Sequence, residues 1–216
     1  MDTLTEQTTP GAGQPQPADG AEAKPVQLPA DGAGPLLERD YWGVIEGTER
    51  TPEETMEMVL LDFPRFSPED LACFSRPDGG DAPLGVDERM DIQLKMAGHC
   101  DVRVTHVDER SLTLRTLEGH PEAGRITMGA YRDDDGNLVF RIRSRARAGS
   151  LIKYIGYELF GKEMQTQVWT TFIERVAEGV EGRLVDGVHT KSQEVEEKVT
   201  DAVVLDVPTF ATKPTG

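Results

Sequence analysis

The sequence predicts an α+β domain in which a curved antiparallel sheet wraps a long C-terminal helix, and three observations predict it. Two helix-start signals stand close together, Thr51-Pro52-Glu53-Glu54 and Ser67-Pro68-Glu69-Asp70. Residues 90–147 then alternate apolar and polar side chains, the mark of strands with one buried face. From Ser150 to about Gly182 the apolar spacing becomes helical, and a helix that long needs a large apolar partner, which only the sheet offers.

Taken in order, residues 1–36 are rich in Pro, Gly, Ala, Gln and Thr and bury too little surface to offset the entropy of ordering. They read as a disordered arm. Tyr41 to Thr48 (YWGVIEGT) reads as a first strand. At Thr51 a hydroxyl N-cap, a proline at the first helical position and an acid three residues after the cap form a capping box, and Met56, Val59, Leu60 and Phe63 share one face of the helix that follows. Pro64 ends that helix. Ser67 opens a second, shorter helix carrying Leu71 and Phe74, and a Gly/Pro/Asp-rich link spans residues 77–85.

The alternating stretch divides into strand segments joined by small turns. One face collects Ile92, Leu94, Met96, Val102, Val104, His106, Leu112, Leu114, Thr116, Ile126, Met128, Ala130, Leu138, Phe140, Ile142 and Ser144. The other collects Gln93, Lys95, Arg103, Thr105, Thr113, Arg115, Thr127, Arg141, Arg143 and Arg145, so the meander is apolar on one side and wet on the other. Asp134-Asp135-Gly136-Asn137 is a hairpin turn, because Gly and Asn accept positive φ at low cost. The closing helix carries Leu151, Ile155 and Leu159, then Met164, Val168, Phe172, Val176 and Val180, with Gly156 and Gly161 weakening its early part. These readings set the domain at residues 37–182. Residues 183–216 read as a mostly flexible tail whose apolar run, Ala202 to Phe210, docks on its own domain in preference to a partner's sheet edge.

Acidic residues number 39 against 23 basic, a net charge of -16, which repels a nucleic-acid backbone and an anionic membrane surface at long range. Neither is an expected partner. The first residues have no basic, then apolar, leader pattern, and no apolar run is long enough for a membrane span, so a cytoplasmic location is expected. Cys73 and Cys100 stand in no metal-ligand spacing and suggest neither a disulfide framework nor a zinc site. No metal and no cofactor is expected.

The segment TLEGHPEAGRITMGAYRDDDGNLVFRIRSRARAGS, with the later EMQTQVW, resembles the DUF1990 family, in which a Gly-His-Pro-Glu-Ala-Gly loop precedes a strand and an FxIRSxAR-like strand feeds the final helix. The resemblance covers about residues 40–180. It implies the helix-grip fold of the START-like (Bet v 1-like, SRPBCC) superfamily and a pocket for a hydrophobic ligand. It implies no particular reaction, cofactor or catalytic set.

Within that frame His120 and Glu122 lie in a connection between adjacent strands, where Pro121 and the flanking glycines explain most of the sequence as a turn. The functional alternative is a polar pair at the mouth of an apolar pocket, moving a proton or gating entry. His106 falls on the inward face by alternation and suits a cavity wall, whereas His99, Cys100 and His189 carry no signal. Gln165 and Trp169 are four apart on the final helix and share a face. A buried amide and an indole N–H each need a partner, which a ligand can supply. Arg141, Arg143, Arg145 and Arg147 form a ladder on the wet face, a solvated stripe or a docking surface for acidic groups, a second copy of the chain included.

The expected ligand-binding set is therefore His106, His120, Glu122, Gln165 and Trp169, with no catalytic residue assigned. The leading reading is a non-catalytic carrier or sensor for an apolar small molecule. The alternatives are a cyclase/dehydratase-type enzyme using His120 and Glu122, or His106, and an interaction protein whose cavity is filled by its own side chains.

Overall fold

The computed structural model describes residues 24–77, 80–95, 97–150 and 162–196. The alternating stretch forms β3 (Arg89–Leu94), β4 (Gly98–Asp108), β5 (Ser111–Thr116), β6 (Glu122–Arg132) and β7 (Leu138–Ala148). They are joined in one antiparallel sheet by β1 (Ala33–Glu46), β2 (Ala72–Ser75) and β8 (Arg183–Glu194), in the order β2-β3-β4-β5-β6-β7-β1-β8. Helices α1 (Pro52–Leu61), α2 (Phe63–Phe66) and α3 (Lys162–Gly179) complete the described chain. The sheet curves over α3, which is the α+β, helix-grip arrangement the sequence predicts.

Local chemistry accounts for α1. Thr51 Oγ1 accepts from Glu54 N at 3.1 Å while Thr51 N donates to Glu54 Oε2 at 2.8 Å, so two of the orphan donors at the helix start are satisfied. The second start signal does not open a helix. Ser67 Oγ donates to Ala72 O at 2.6 Å, and the chain turns into β2, whose residues pair with β3. Leu71 and Phe74 are buried as expected, but Phe74 gets there on a strand. The short helix sits upstream, at Phe63–Phe66, with Pro64 in its first turn, where a missing N–H is harmless.

The domain edges also differ from the expected 37–182. β1 begins at Ala33, and Glu38, Arg39 and Asp40 hid its alternation because all three are buried charges with partners inside the sheet. Ahead of it, Val26 bridges Leu117 and a short 3-10 turn covers Pro29–Asp31, so residues 24–36 are not a disordered arm. On the other side, Arg183–Glu194, expected as mostly flexible tail, is β8, paired with β1 from Glu46↔Arg183 to Leu37↔Glu194. Its register shifts opposite Gly43 and Val44, where Asp186 and Gly187 take positive φ and add a bulge. A bulged edge strand shows neither clean alternation nor an apolar run, which is why it read as tail. Residues 1–23, Met96, residues 151–161 (with the expected Leu151, Ile155 and Leu159) and the run Ala202 to Phe210 lie outside the described residues.

The core lies between sheet and helices. Val168, Trp169, Phe172, Ile173, Val176, Ala177 and Val180 are buried with Ile45, Met128, Phe140 and Ile142 of the sheet. An aromatic cluster fills the centre: Phe172 lies 5.1 Å from Phe63, 5.6 Å from Phe66, 6.1 Å from Phe140 and 5.9 Å from Trp169, between ring centroids. No helix among the described residues is long and apolar enough to cross a membrane.

Candidate functional site

Inward positions on neighbouring strands meet in rows, and two of them, Val102 with Thr116 and Leu114 with Ile126 and Ser144, floor a cavity of about 60 Å³. Phe74 and Ile92 close it on the β2 side, Gln165 and Trp169 of α3 roof it, and His120 and Glu122 stand at one end. Gln165, Trp169, His120 and Glu122, all singled out from sequence, thus line the same space.

The polar end is organised around Glu122. Its Oε1 accepts from Arg39 Nη1 at 3.0 Å and its Oε2 from Gln165 Nε2 at 2.9 Å, so both carboxylate oxygens are engaged, one from β1 and one from α3. The side chain of Arg39 is only 7% exposed, and its charge would be costly there without that carboxylate. Tyr41, two residues along β1 on the same face, hydrogen-bonds Thr166 of α3; burial pushes its phenol above the usual range despite the nearby Arg39 cation, so it is neutral at pH 7.

His120 is buried, at 8% exposure, which corrects its reading as an exposed loop residue. Its Nδ1 lies 3.0 Å from both the N and the O of Glu122, so the ring is held by that residue's main chain. The imidazole thus addresses the main chain of Glu122, while the Glu122 carboxylate addresses Arg39 and Gln165. Gly124 lets the strand after this loop lie close to β7, since a Cβ there would collide with Arg145 O.

His106 does not reach the cavity. The β4–β5 register shifts between Val104 and His106, so Val104 pairs with Leu114 while His106 pairs with Thr113 of the opposite face. The extra residue, Thr105, reverses the alternation, and Val107 takes the inward place against the core. The His106 ring instead lies 2.9 Å from Asp108 Oδ2. Burial pushes the Asp108 carboxyl up, but the hydrogen bonds from His106 and from Arg110 N outweigh it and hold the group below its usual value.

Two polar atoms facing this space have no hydrogen-bond partner among the described residues: Trp169 Nε1 and Ser144 Oγ, both fully buried. Sequence reasoning found the indole from its helical face but not Ser144, which ended the inward series of β7 as an ordinary small residue. Arg39 was hidden in a run of charges, and Phe74 was assigned to a helix. Among the described residues no group of His, Cys, Asp and Glu is arranged to hold a metal ion.

A family model described as "Domain of unknown function (DUF1990)" matches residues 66–175. No curated protein matches the chain. Similar solved structures include a conserved protein from Geobacillus kaustophilus (16% identity, TM-score 0.47), covering 71% of this chain and 98% of that one. A protein from Chromobacterium violaceum shares 14% identity over 68% of this chain and 99% of its own, with a TM-score of 0.45. Ginseng major latex-like protein 151 from Panax ginseng shares 12% identity over 67% and 97% of the two chains, with a TM-score of 0.43.

Proposed function

The chain belongs to the DUF1990 family, and from that premise we propose that it binds a small, largely apolar molecule, or the end of one, in the cavity between sheet and α3. The observation that carries this reading is the pair of unpartnered buried polar atoms, Trp169 Nε1 and Ser144 Oγ, beside the apolar side chains of Phe74, Ile92, Val102, Leu114 and Ile126 in the same lining. A buried polar group left without a partner costs about 1–3 kcal/mol, so a site that keeps two of them is suited to an occupant that satisfies them. The indole N–H asks for an acceptor and the hydroxyl accepts or donates, which fits a carbonyl or hydroxyl oxygen. The occupant is neutral in this reading, because both oxygens of the Glu122 carboxylate are already engaged.

Size limits the ligand. At about 60 Å³ the cavity is under half the ~150 Å³ of an engineered cavity that accepts benzene, so it suits a short chain or one end of a longer amphiphile. The same volume, with the aromatic cluster filling the centre of the fold, favours a second reading, an interaction protein whose own side chains occupy the pocket. An acid/base enzyme has less support, since His120 and Glu122 hydrogen-bond through the main chain and not carboxylate to imidazole. Cys73 and Cys100 are not joined in a disulfide, which suits a reducing compartment such as the cytoplasm.

Titration of the full chain with small fluorescent apolar ketones tests the proposal. Saturable binding near one per chain supports it. No saturable binding by any of them favours the interaction-protein reading.

A further inference from the structure

The sheet ends in two unlike edges. β2, at one end of the strand order, is four residues long, whereas β8, at the other, runs for twelve, and among the described residues no strand lies beyond it. An edge strand of that length offers a row of main-chain N–H and C=O groups to a further strand. The register of β8 with β1 is unbroken from Val188 to Glu194, so this part of the edge is straight. Apolar surface is half-buried along it on both faces. Leu184 and Val188 pack against the core on the side of α3, and His189 stacks on Trp42 on the other side, with ring centroids 5.3 Å apart. A strand that covers such an edge needs apolar side chains in both directions, which calls for a continuous apolar run in place of alternation.

We propose that the run Ala202 to Val207, which lies outside the described residues, docks on this edge as a ninth antiparallel strand. Five of its six side chains are apolar, and three of them are β-branched valines. Its starting point is fixed, since Val195 N still donates to Leu36 O at 2.9 Å where β8 ends. A two-residue turn at Glu196 and Glu197 sets Val204 opposite His189 and Leu205 opposite Val188. A four-residue turn slides the pairing by two positions and keeps the same faces. Pro208, which has no N–H to donate, then stops the ladder near the bulge at Asp186 and Gly187. Residues 1–23 hold no comparable apolar run. A second copy of the chain competes poorly, because the short tether sets an effective concentration of about a millimolar for the run in cis, and two chains of net charge -16 repel each other.

The test is NMR on the isotope-labelled full chain, reading cross-strand NOEs and amide hydrogen exchange. NOEs are expected between residues 203–207 and residues 186–192. A strand flanked on both sides has every N–H in a ladder, whereas an edge strand has only alternate ones, so consecutive amides from Val188 to Ser192 should exchange slowly. In Val204→Pro/Leu205→Pro, which removes an N–H from the ladder in either register, alternate β8 amides should exchange at least about tenfold faster while those of β6 and β7 keep their rates. The pattern in the native chain decides the matter even if this variant fails to fold. Protection at only alternate β8 amides in the native chain would overturn the proposal, as would β8 exchange that the two prolines leave unchanged. NOEs that run between labelled and unlabelled chains in a mixed sample would also overturn it, since they make the occupant a second copy.

Discussion

Gln165 Nε2 donates to Glu122 Oε2 at 2.9 Å and so ties α3 to the first residue of β6, while the other oxygen of the same carboxylate holds Arg39 of β1. Three elements far apart in sequence converge on one side chain. Glu122→Gln removes the charge that compensates Arg39 and is expected to cost about 2–3 kcal/mol, the range for hydrogen bonds to charged groups, whereas Gln165→Ala should cost about 1 kcal/mol. Urea unfolding of the two variants checks the order.

Asp40 anchors the outer face through Arg141, which is 1% exposed, and Arg143. Burial pushes the Asp40 carboxyl up, but the hydrogen bonds from Arg143 and Arg141, with their charges, outweigh it and hold the group below its usual value. A lowered folded-state pKa gives stability that is fully present above the unfolded value of about 3.9 and is lost as the pH falls through the folded value. Asp40→Asn is therefore expected to cost about 3 kcal/mol at pH 7, because it takes a carboxylate away from a buried guanidinium. The deficit should shrink below about pH 4, which stability curves from pH 7 to 2 would show.

Removal of residues 183–216 is expected to be strongly destabilising, although the sequence suggested a dispensable tail. β8 covers the outer edge of β1 from Leu37 to Glu46, and Leu184 and Val188 pack on the core. At roughly 2–4 °C per kcal/mol for a chain of this size, a loss of several kcal/mol lowers the thermal midpoint by about 10 °C or more. A midpoint within a few degrees of the full chain would mean that β8 adds little.

The turn at His120 gives a ranked comparison. Gly124→Val should be the most damaging change, because its side chain meets Arg145 O and Ala146 Cα on the neighbouring strand. His120→Ala removes a buried hydrogen-bond partner from the Glu122 main chain and should cost about 1–3 kcal/mol. Gly119→Ala should be milder, since the added methyl meets nothing within 4 Å and only the positive φ resists it. Thermal melts of the three variants establish the order.

What the sequence revealed and what it hid have the same physical origin. Alternation located β3 to β7 because each has one apolar face, and the capping box located α1 because its signal is local. Charge in the wrong place concealed the rest: Glu38, Arg39 and Asp40 look solvated in sequence, yet each is neutralised by a residue about a hundred positions away, Arg145, Glu122 or Arg143. A single inserted residue, Thr105, was enough to send His106 to the wrong face, because parity carries no memory of a bulge. Gln165 and Trp169 were legible from helical spacing alone, whereas Ser144 gained its meaning only when its hydroxyl, lining the same cavity as the Trp169 indole, proved to lack a partner.

The central claim is that Trp169 Nε1 and Ser144 Oγ recognise an oxygen on an otherwise apolar occupant. Its most direct measurement is the affinity of a matched pair of small ligands, a ketone and its hydrocarbon analogue, for the native chain and for Trp169→Phe, which keeps an aromatic wall but removes the N–H. The native chain should prefer the ketone, and the variant should lose about tenfold for the ketone, or ~1.4 kcal/mol, with little change for the hydrocarbon. Equal weakening of both ligands would reduce Trp169 to an apolar wall, and an unchanged ketone affinity would contradict the account.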